Sequence, residues 1–289
     1  MLLTGIESVA YFGETDYEFG MAKMKSHGYD CIDYQGFSSP SSPFYELDES
    51  EISKRLKSLK AAADNTGLIF WQAHGLWPHD DTTKESREQV LSKQQRSIKW
   101  AAALGCKYLV IHPAMPYGWG VEPCVKEAHD KTIERLVGLL PVAKSEGVTV
   151  CLENMPFLNG HSFSTVQEVK DIITEINDSN IKACLDTGHC NVVRESVYNG
   201  IKCFGEDLAA MHVHDSACGQ DRHLIPYQGE IDWEGFIKGL TEIRFDGCIS
   251  LETRIHPKTP EPMKERLQIE LANIVRFFAK SVESDNKIL

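Results

Sequence analysis

Six successive apolar segments of the sequence end in a histidine or a carboxylate, the side chains that proteins use to hold metal ions and move protons. Burying a charged group at the end of such a segment costs free energy unless the group has a partner. Carboxylates that converge on one place repel each other, and a cation between them removes that repulsion. With imidazoles nearby, the pattern predicts a divalent metal site. The six residues are His74, His112, Glu153, Asp186, His212 and Glu252.

The balance of oxygen and nitrogen donors indicates which metal is expected. Three carboxylates with one imidazole suit Mn²⁺, Co²⁺ or Mg²⁺, whereas more histidines shift the preference toward Zn²⁺. We therefore expect one divalent ion of this group. Taken singly, a residue such as His74, His112 or His214 is more often an ordinary hydrogen-bonded histidine, and a lone glutamate is often an ion-pair partner. The repetition at six consecutive segments favours the metal site.

Residues next to these segment ends add a further candidate. Side chains alternate along a strand, so His214 shares a face with His212, and Arg254 shares a face with Glu252. Arg254 is therefore expected to bind a phosphate or carboxylate of the substrate, or to pair with a nearby acid.

The segments alternate with longer amphipathic stretches, which is typical of a parallel α/β fold. Helical spacing of apolar residues occurs over 53–65, 86–104, 126–146 and 166–176. The absence of a G-x-G-x-x-G motif and the eight β-α units favour a closed barrel over an open sheet. We predict a single (β/α)8 TIM barrel domain over residues 1–289, with the site at the carboxyl ends of its strands. The predicted strands are 2–9, 29–34, 68–73, 108–112, 148–153, 182–186, 208–212 and 248–252.

Charge and composition argue against several classes of function. The 289 residues include 30 Lys and Arg against 42 Asp and Glu, a net charge of −12. Proteins that wrap nucleic acids normally have a basic surface, so a nucleic-acid partner is disfavoured. No segment approaches the roughly 18–20 apolar residues of a membrane span, and a secretory signal is not recognisable, so we expect a cytoplasmic protein without membrane contact. The nine cysteines are scattered without a C-x-x-C pair, which predicts free thiols.

Five segments resemble the sugar phosphate isomerase/epimerase superfamily, which includes xylose isomerase-like barrels and endonuclease IV. They are LEN, LDTGH, MHVHD, DRHLIPYQGEIDW and SLET, in the order expected for the family. The resemblance extends over nearly the whole chain, from His74 to Glu252. It implies a xylose isomerase-like TIM barrel that acts on a small sugar or sugar phosphate. Members of the family often form dimers or tetramers.

Ketose 3-epimerase-like members hold one divalent metal ion with two glutamates, an aspartate and a histidine. The resemblance places Glu153, Asp186, His212 and Glu252 at these positions and implies that His189 contacts substrate. We expect isomerisation or epimerisation through an enediolate, with Glu153 and Glu252 transferring protons on its two sides. The other expected substrate-binding residues are His74, His112, Asp221, His223 and Arg254. The aromatic residues expected to cover the sugar are Phe12, Trp77, Trp119 and Phe157.

Two alternatives stay open at this point. Endonuclease IV-like members cleave DNA at abasic sites with three zinc ions, although their pattern has asparagine in place of His214. The acidic charge and the lack of long basic loops argue against this activity. A non-catalytic sugar-binding barrel is disfavoured because binding alone does not need paired glutamates. The candidate zinc ligands are His74, His112, Glu153, Asp186, His189, His212, Asp221, His223 and Glu252.

Overall fold

Eight parallel strands form the central sheet, in a computed structural model that describes residues 1–13, 15–115, 124–156 and 165–285. All eight predicted strands are confirmed, with ends that differ by at most two residues. They are β1 (Leu3–Glu7), β2 (Cys31–Tyr34), β3 (Ile69–His74), β4 (Tyr108–Ile111), β5 (Thr149–Glu153), β6 (Ile181–Asp186), β7 (Leu208–His212) and β10 (Cys248–Leu251). The two remaining strands, β8 (Asp215–Ala217) and β9 (Gln220–Leu224), form a separate antiparallel hairpin that the sequence patterns did not predict.

The sheet closes into a barrel. Its strands are hydrogen-bonded in the order β10-β1-β2-β3-β4-β5-β6-β7. Val213, which directly follows β7, joins the two ends: its N–H donates to the carbonyl of Ser250 at 2.8 Å, and its carbonyl accepts from the N–H of Glu252 at 3.0 Å. The carboxyl ends of all eight strands therefore surround one mouth.

Helices connect the strands and cover the outside of the barrel. Each begins and ends for local reasons, as α2 illustrates: Asp48 accepts hydrogen bonds from the N–H groups of Ser50 and Glu51, and Gly67 ends the helix in the left-handed conformation. No helix within the described ranges is long and apolar enough to cross a membrane. The helices are α1 (Tyr17–His27), α2 (Glu49–Thr66), α3 (Lys84–Leu104), α4 (Val125–Glu146), α5 (Val166–Ile176), α6 (Thr187–Val192), α7 (Val197–Phe204), α8 (Trp233–Glu242) and α9 (Glu261–Asp285).

A group of small buried side chains shows which face of the strands points into the barrel. Cys151 and Cys184 belong to a fully buried group that is separate from the large core between strands and helices. Glu153 and Asp186 lie two residues further along the same strands and therefore face the same interior. All nine cysteines are free, as predicted, and these two act as small apolar side chains.

Candidate active site

The centre of the candidate site is formed by the ends of four strands that are neighbours in the closed barrel. Glu153, Asp186 and His212 are the last residues of β5, β6 and β7, and Glu252 directly follows β10. One side-chain donor atom from each lies within 4.8 Å of the others. The first three side chains are completely buried, whereas Glu252 is partly exposed.

This donor set fits one divalent cation. Oxygen and nitrogen ligands lie about 2.0–2.3 Å from such an ion, so two ligands are separated by at most about 4.6 Å. The four donor atoms lie within 4.8 Å of one another, which is close to this limit. Three carboxylates and one imidazole suit Mn²⁺, Co²⁺ or Mg²⁺, and Zn²⁺ is also accommodated.

An acid that sequence reasoning missed lies beside the ring of His212. Its Nδ1 lies 3.0 Å from Oε1 of Glu153 and 3.3 Å from Oε2 of Glu252. Its Nε2 faces the opposite direction and lies 3.2 Å from Oδ2 of Asp33 on β2. That oxygen also accepts a 2.8 Å hydrogen bond from Gln72. With the proton on Nε2, the Nδ1 lone pair is left for a metal ion. The available signal for Asp33 was an acid between Ile32 and Tyr34 near the end of the predicted strand 29–34.

A second group of side chains shares Glu153 with the first. Nε2 of His112 lies 3.1 Å from Oε2 of Glu153, and Nε2 of His74 lies 3.6 Å from the same oxygen. The ring nitrogen Nδ1 of His74 lies 2.8 Å from the carbonyl of Gly75, which accepts its proton and leaves Nε2 facing Glu153. Burial lowers the pKa of His112 to about 3, so this ring is neutral at physiological pH. Both histidines predicted from the strand ends are therefore at the site.

A third group comes from α6 and the unpredicted hairpin. Nε2 of His189 and Nε2 of His223 lie 3.5 Å and 3.3 Å from Oδ2 of Asp221. The other nitrogen of each ring is also hydrogen-bonded. Nδ1 of His189 donates to the carbonyl of Asn154, and Nδ1 of His223 donates to the carbonyl of Glu252, each at 2.8 Å. The hairpin thus brings two residues of the DRH sequence to the same mouth as the strand ends.

His214 does not share the position of His212, although both had been expected on one face. Its Nε2 lies 3.0 Å from Oδ2 of Asp186, and its ring stacks on that of His223 with centroids 4.1 Å apart. Gly188 is required here, because a Cβ at this position would lie 1.9 Å from the His214 ring. His214 therefore supports Asp186, and its ring nitrogen also lies close enough to Asp221 and His223 to form part of a cation site.

The carboxylates of the mouth create a field that favours cations. Burial lowers the pKa of His189, but Asp186 and Asp221 outweigh burial and raise the pKa to about 10. Burial also lowers the pKa of His223, and Asp221 and Glu252 raise it to about 9. The same field that holds protons on these rings would stabilise a divalent cation.

A cavity of about 570 Å³ opens from these groups, a size that suits a small ligand. Trp77 after β3, Arg254 after β10 and Glu7 at the end of β1 line its wall. Arg254 is exposed, as a group that meets the outer part of a ligand would be. Glu7 was missed from the sequence, because nothing distinguished one acid inside the predicted strand 2–9.

The expected aromatic cover is present only in part. Trp77 lines the cavity and packs its ring against that of His112, with centroids 4.3 Å apart. Phe12 lines a neighbouring cavity instead. Trp119 and Phe157 lie outside the described residues.

Three buried side chains next to His112 contact one another: His79, Asp81 and Arg135. Nδ1 of His79 lies 2.8 Å from Oδ2 of Asp81, Nη1 of Arg135 lies 3.2 Å from Nε2 of His79, and Arg135 pairs with Asp81. Arg135 also donates to the carbonyl of His112 at 3.4 Å, and Asp81 accepts from the N–H of Met115 at 2.9 Å. The group joins the loop after β3 to the segment after β4 and so holds His112 in place. This group was not predicted from the sequence, because Arg135 is more than 50 residues away from His79 and Asp81 and no local pattern links them.

Comparison with known proteins places these features in a family. The model of the xylose isomerase-like TIM barrel family matches residues 21–272. A D-psicose 3-epimerase of Ruminiclostridium cellulolyticum is 26% identical over 246 residues, covering 83% of this chain and 78% of that protein. A probable endonuclease 4 of Metamycoplasma arthritidis is 30% identical over 203 residues, covering 63% of this chain and 71% of that protein.

Solved structures show the same fold. The structure of D-psicose 3-epimerase with D-tagatose from Clostridium cellulolyticum H10 aligns with a TM-score of 0.78 and 20% identity, over 96% of this chain and 99% of that one. A 3-keto-D-glucoside 4-epimerase from E. coli aligns with a TM-score of 0.75 and 18% identity, over 94% of this chain and 100% of that one.

Proposed function

Because the chain belongs to the xylose isomerase-like TIM barrel family, we propose that it is a divalent-metal-dependent epimerase or isomerase of a small sugar or sugar phosphate. One observation carries the proposal: Glu153 and Glu252 both approach Nδ1 of His212, from different strands, at the edge of the cavity. Two carboxylates beside one cation site are what an enzyme needs to remove a proton from a carbon atom and return it on the other side.

We assign the cation to Glu153, Asp186, His212 and Glu252. When bound, a divalent cation would polarise the substrate carbonyl and stabilise the negative charge that develops as the neighbouring carbon loses its proton. Asp33 and His214 would keep His212 and Asp186 in the orientations that this role requires.

The proton transfers would belong to the two glutamates. One carboxylate removes the proton from the carbon next to the carbonyl, and the other, as a carboxylic acid, returns a proton to the opposite face of the planar enediolate. His189 is positioned to bind a substrate hydroxyl or the developing oxyanion, since its Nε2 faces Asp221 at the cavity wall. His74 and His112, with His223 and Arg254, would contact the remaining oxygens.

The names of the relatives support this substrate class. They include D-psicose 3-epimerases and an inosose isomerase of Bacillus velezensis, which is 23% identical over 242 residues. We propose a ketose, or a cyclic polyol ketone of similar size, as the substrate.

Exchange of substrate protons with solvent tests the proposal directly. The protein is incubated in D₂O with individual ketoses, their phosphates and inososes, each with added Mn²⁺, Co²⁺ or Mg²⁺, and NMR follows the carbon next to the carbonyl. We expect deuterium incorporation together with epimer formation for at least one compound, and its loss after chelation. Absence of exchange across the whole panel with metal-loaded protein would contradict the proposed function.

A specific observation favours phosphodiester cleavage at abasic DNA as a second candidate. The nine candidate zinc ligands do lie together in three adjoining groups: the first two share Glu153, and the third approaches Glu153 and Asp186 through His189. The net charge of −12 is unfavourable for binding a DNA duplex, whose phosphates are also negative. Cleavage of an abasic duplex by protein with three bound zinc ions would select this function, and cleavage should be absent if the epimerase proposal is right.

A further inference from the structure

A buried ionic group lies next to the candidate site without lining its cavity. It consists of His79, Asp81 and Arg135, each at most 8% exposed. None of the three is among the described residues that surround the cavity of about 570 Å³. Burying charges costs free energy, and apolar side chains of similar volume often stabilise a fold equally well. The stability of the barrel alone therefore does not explain the ionic character of this group.

The buried ionic group fixes the backbone that follows β4. Nη1 of Arg135 donates to the carbonyl of His112 at 3.4 Å, and Asp81 accepts from the N–H of Met115 at 2.9 Å. Between these two contacts, the N–H of Ala114 donates to a hydroxyl group of α4 at 2.9 Å. This stretch of backbone is therefore bonded both to α4 and to the loop after β3.

The same group also contacts the side chain that covers the ring of His112. Trp77 packs its ring against that of His112 with centroids 4.3 Å apart, and it meets the ring of His79 edge-on at 5.3 Å. Nδ1 of His79 lies 2.8 Å from Oδ2 of Asp81, and Arg135 contacts both residues. A change within the group would therefore disturb the backbone of His112 and the packing of its ring together.

His112 in turn contacts a carboxylate that we assign to proton transfer. Nε2 of His112 lies 3.1 Å from Oε2 of Glu153. The other oxygen of Glu153, Oε1, lies 3.0 Å from Nδ1 of His212, whereas Oε2 is buried and accepts no hydrogen bond from the part of the chain that the structure describes. Oε2 is therefore the oxygen that is available to take a proton, and the ring of His112 limits where that oxygen can lie.

We propose that the buried ionic group positions Oε2 of Glu153 for proton transfer, and that it acts through His112. This inference rests on the proposed function and adds three positioning residues that touch neither the substrate nor the proposed metal ion. Displacement of a reacting group by about 1 Å, even by a change far from the chemistry, can slow a reaction about 100-fold. The expected signature is slower proton removal with substrate binding and metal binding preserved.

Steady-state kinetics of an Asp81→Asn/Arg135→Met variant, at saturating metal and with the sugar found active in the exchange screen, test the proposal. The variant removes both charges of the pair and keeps an acceptor for the N–H of Met115, so we expect it to fold. We expect kcat to fall about 10–100-fold, with KM changed by less than about 3-fold. The deuterium isotope effect on kcat, for substrate labelled next to the carbonyl, should be at least as large as in the wild type, because proton removal is the step that slows.

Two further variants separate positioning from a loss of stability, which urea unfolding measures in parallel. Arg135→Lys keeps a cation for Asp81 but lacks the planar fork with which the arginine reaches its partners together. We expect a folded protein whose kcat is lowered about 10-fold. Lys170→Met/Asp207→Leu is the matched control, since it removes an ion pair between α5 and the residue before β7 and should leave kcat unchanged.

The outcomes that would overturn the proposal are specific. Wild-type kcat in the folded double variant would do so, as would a rise in KM at unchanged kcat. A loss of activity that more metal restores, with fewer ions counted by native mass spectrometry, would show that the group acts on metal affinity instead. If the double variant does not fold, wild-type kcat in folded Arg135→Lys would overturn the proposal. Lack of exchange by the wild type would instead mean failure of the proposed function.

Discussion

Nε2 of His212 lies 3.2 Å from Oδ2 of Asp33, on the side of the ring that faces away from Glu153 and Glu252. An acid in this position keeps the proton on Nε2 and makes Nδ1 a better donor to a metal ion. The contact joins β7 to β2 across the mouth of the barrel, so the proposed metal site depends on a strand that supplies none of its ligands.

Asp33→Asn should lower the affinity for the divalent ion by about 10–100-fold, because the amide no longer fixes the ring proton on Nε2. Competition with a chelating dye measures the affinity. Asp30→Asn is the matched control, since Asp30 precedes the same strand and bonds to Thr4. An Asp33→Asn protein that binds metal like the wild type would show that Asp33 has no such role.

Glu153→Gln and Glu252→Gln should each slow epimerisation by about 10²–10⁴-fold, the contribution of a positioned general acid or base. Deuterium incorporation from D₂O is measured at saturating metal, with metal content determined in parallel so that lost binding is not mistaken for lost chemistry. Glu146→Gln at the exposed end of α4 serves as the control. Full-rate exchange by Glu153→Gln would remove this residue from the mechanism.

Removal of the metal ion should abolish the activity and lower the thermal stability. An ion present at about 100 times its Kd stabilises the folded state by about 2.7 kcal/mol. For a chain of this size that corresponds to a fall in Tm of roughly 4–5 °C on chelation. Calorimetry measures the shift, and native mass spectrometry counts the ions. One ion per chain agrees with the proposed epimerase, whereas three tightly bound zinc ions would contradict it.

Asp81→Asn should destabilise the protein by about 3–5 kcal/mol at neutral pH, because it leaves the buried Arg135 without its counter-charge. Burial raises the pKa of Asp81, but Arg135 and His79 outweigh burial and hold the pKa below its ordinary value. The stabilisation is therefore complete above the unfolded-state pKa of about 3.9 and is lost as the pH falls below it.

Urea unfolding between pH 7 and pH 3 measures this dependence. The difference in unfolding free energy between wild type and Asp81→Asn should shrink toward the acid end of the series. A difference that stays constant over the whole range would mean that the charge of Asp81 does not stabilise the fold. An Asp81→Asn/Arg135→Met double variant should lose less than the sum of the single losses, because the two side chains form one interaction.

Local patterns in the sequence determined the barrel and the centre of its candidate site. Periodicity within a segment is a property of that segment alone, so the eight strands were recognisable, and Glu153 and Asp186 were candidates because they end two of these strands. Once the strands are parallel and the barrel is closed, residues at their carboxyl ends meet at one mouth.

Only the tertiary structure decided which atoms meet across that mouth. Asp33 reaches His212 across the interior of the closed barrel, and the β8–β9 hairpin brings Asp221 to His189. Glu7 was recognisable as part of the cavity wall only in the folded structure. These relationships depend on strand register, ring orientation and loop path, which are set by packing between segments distant in the chain and have no local periodicity to reveal them.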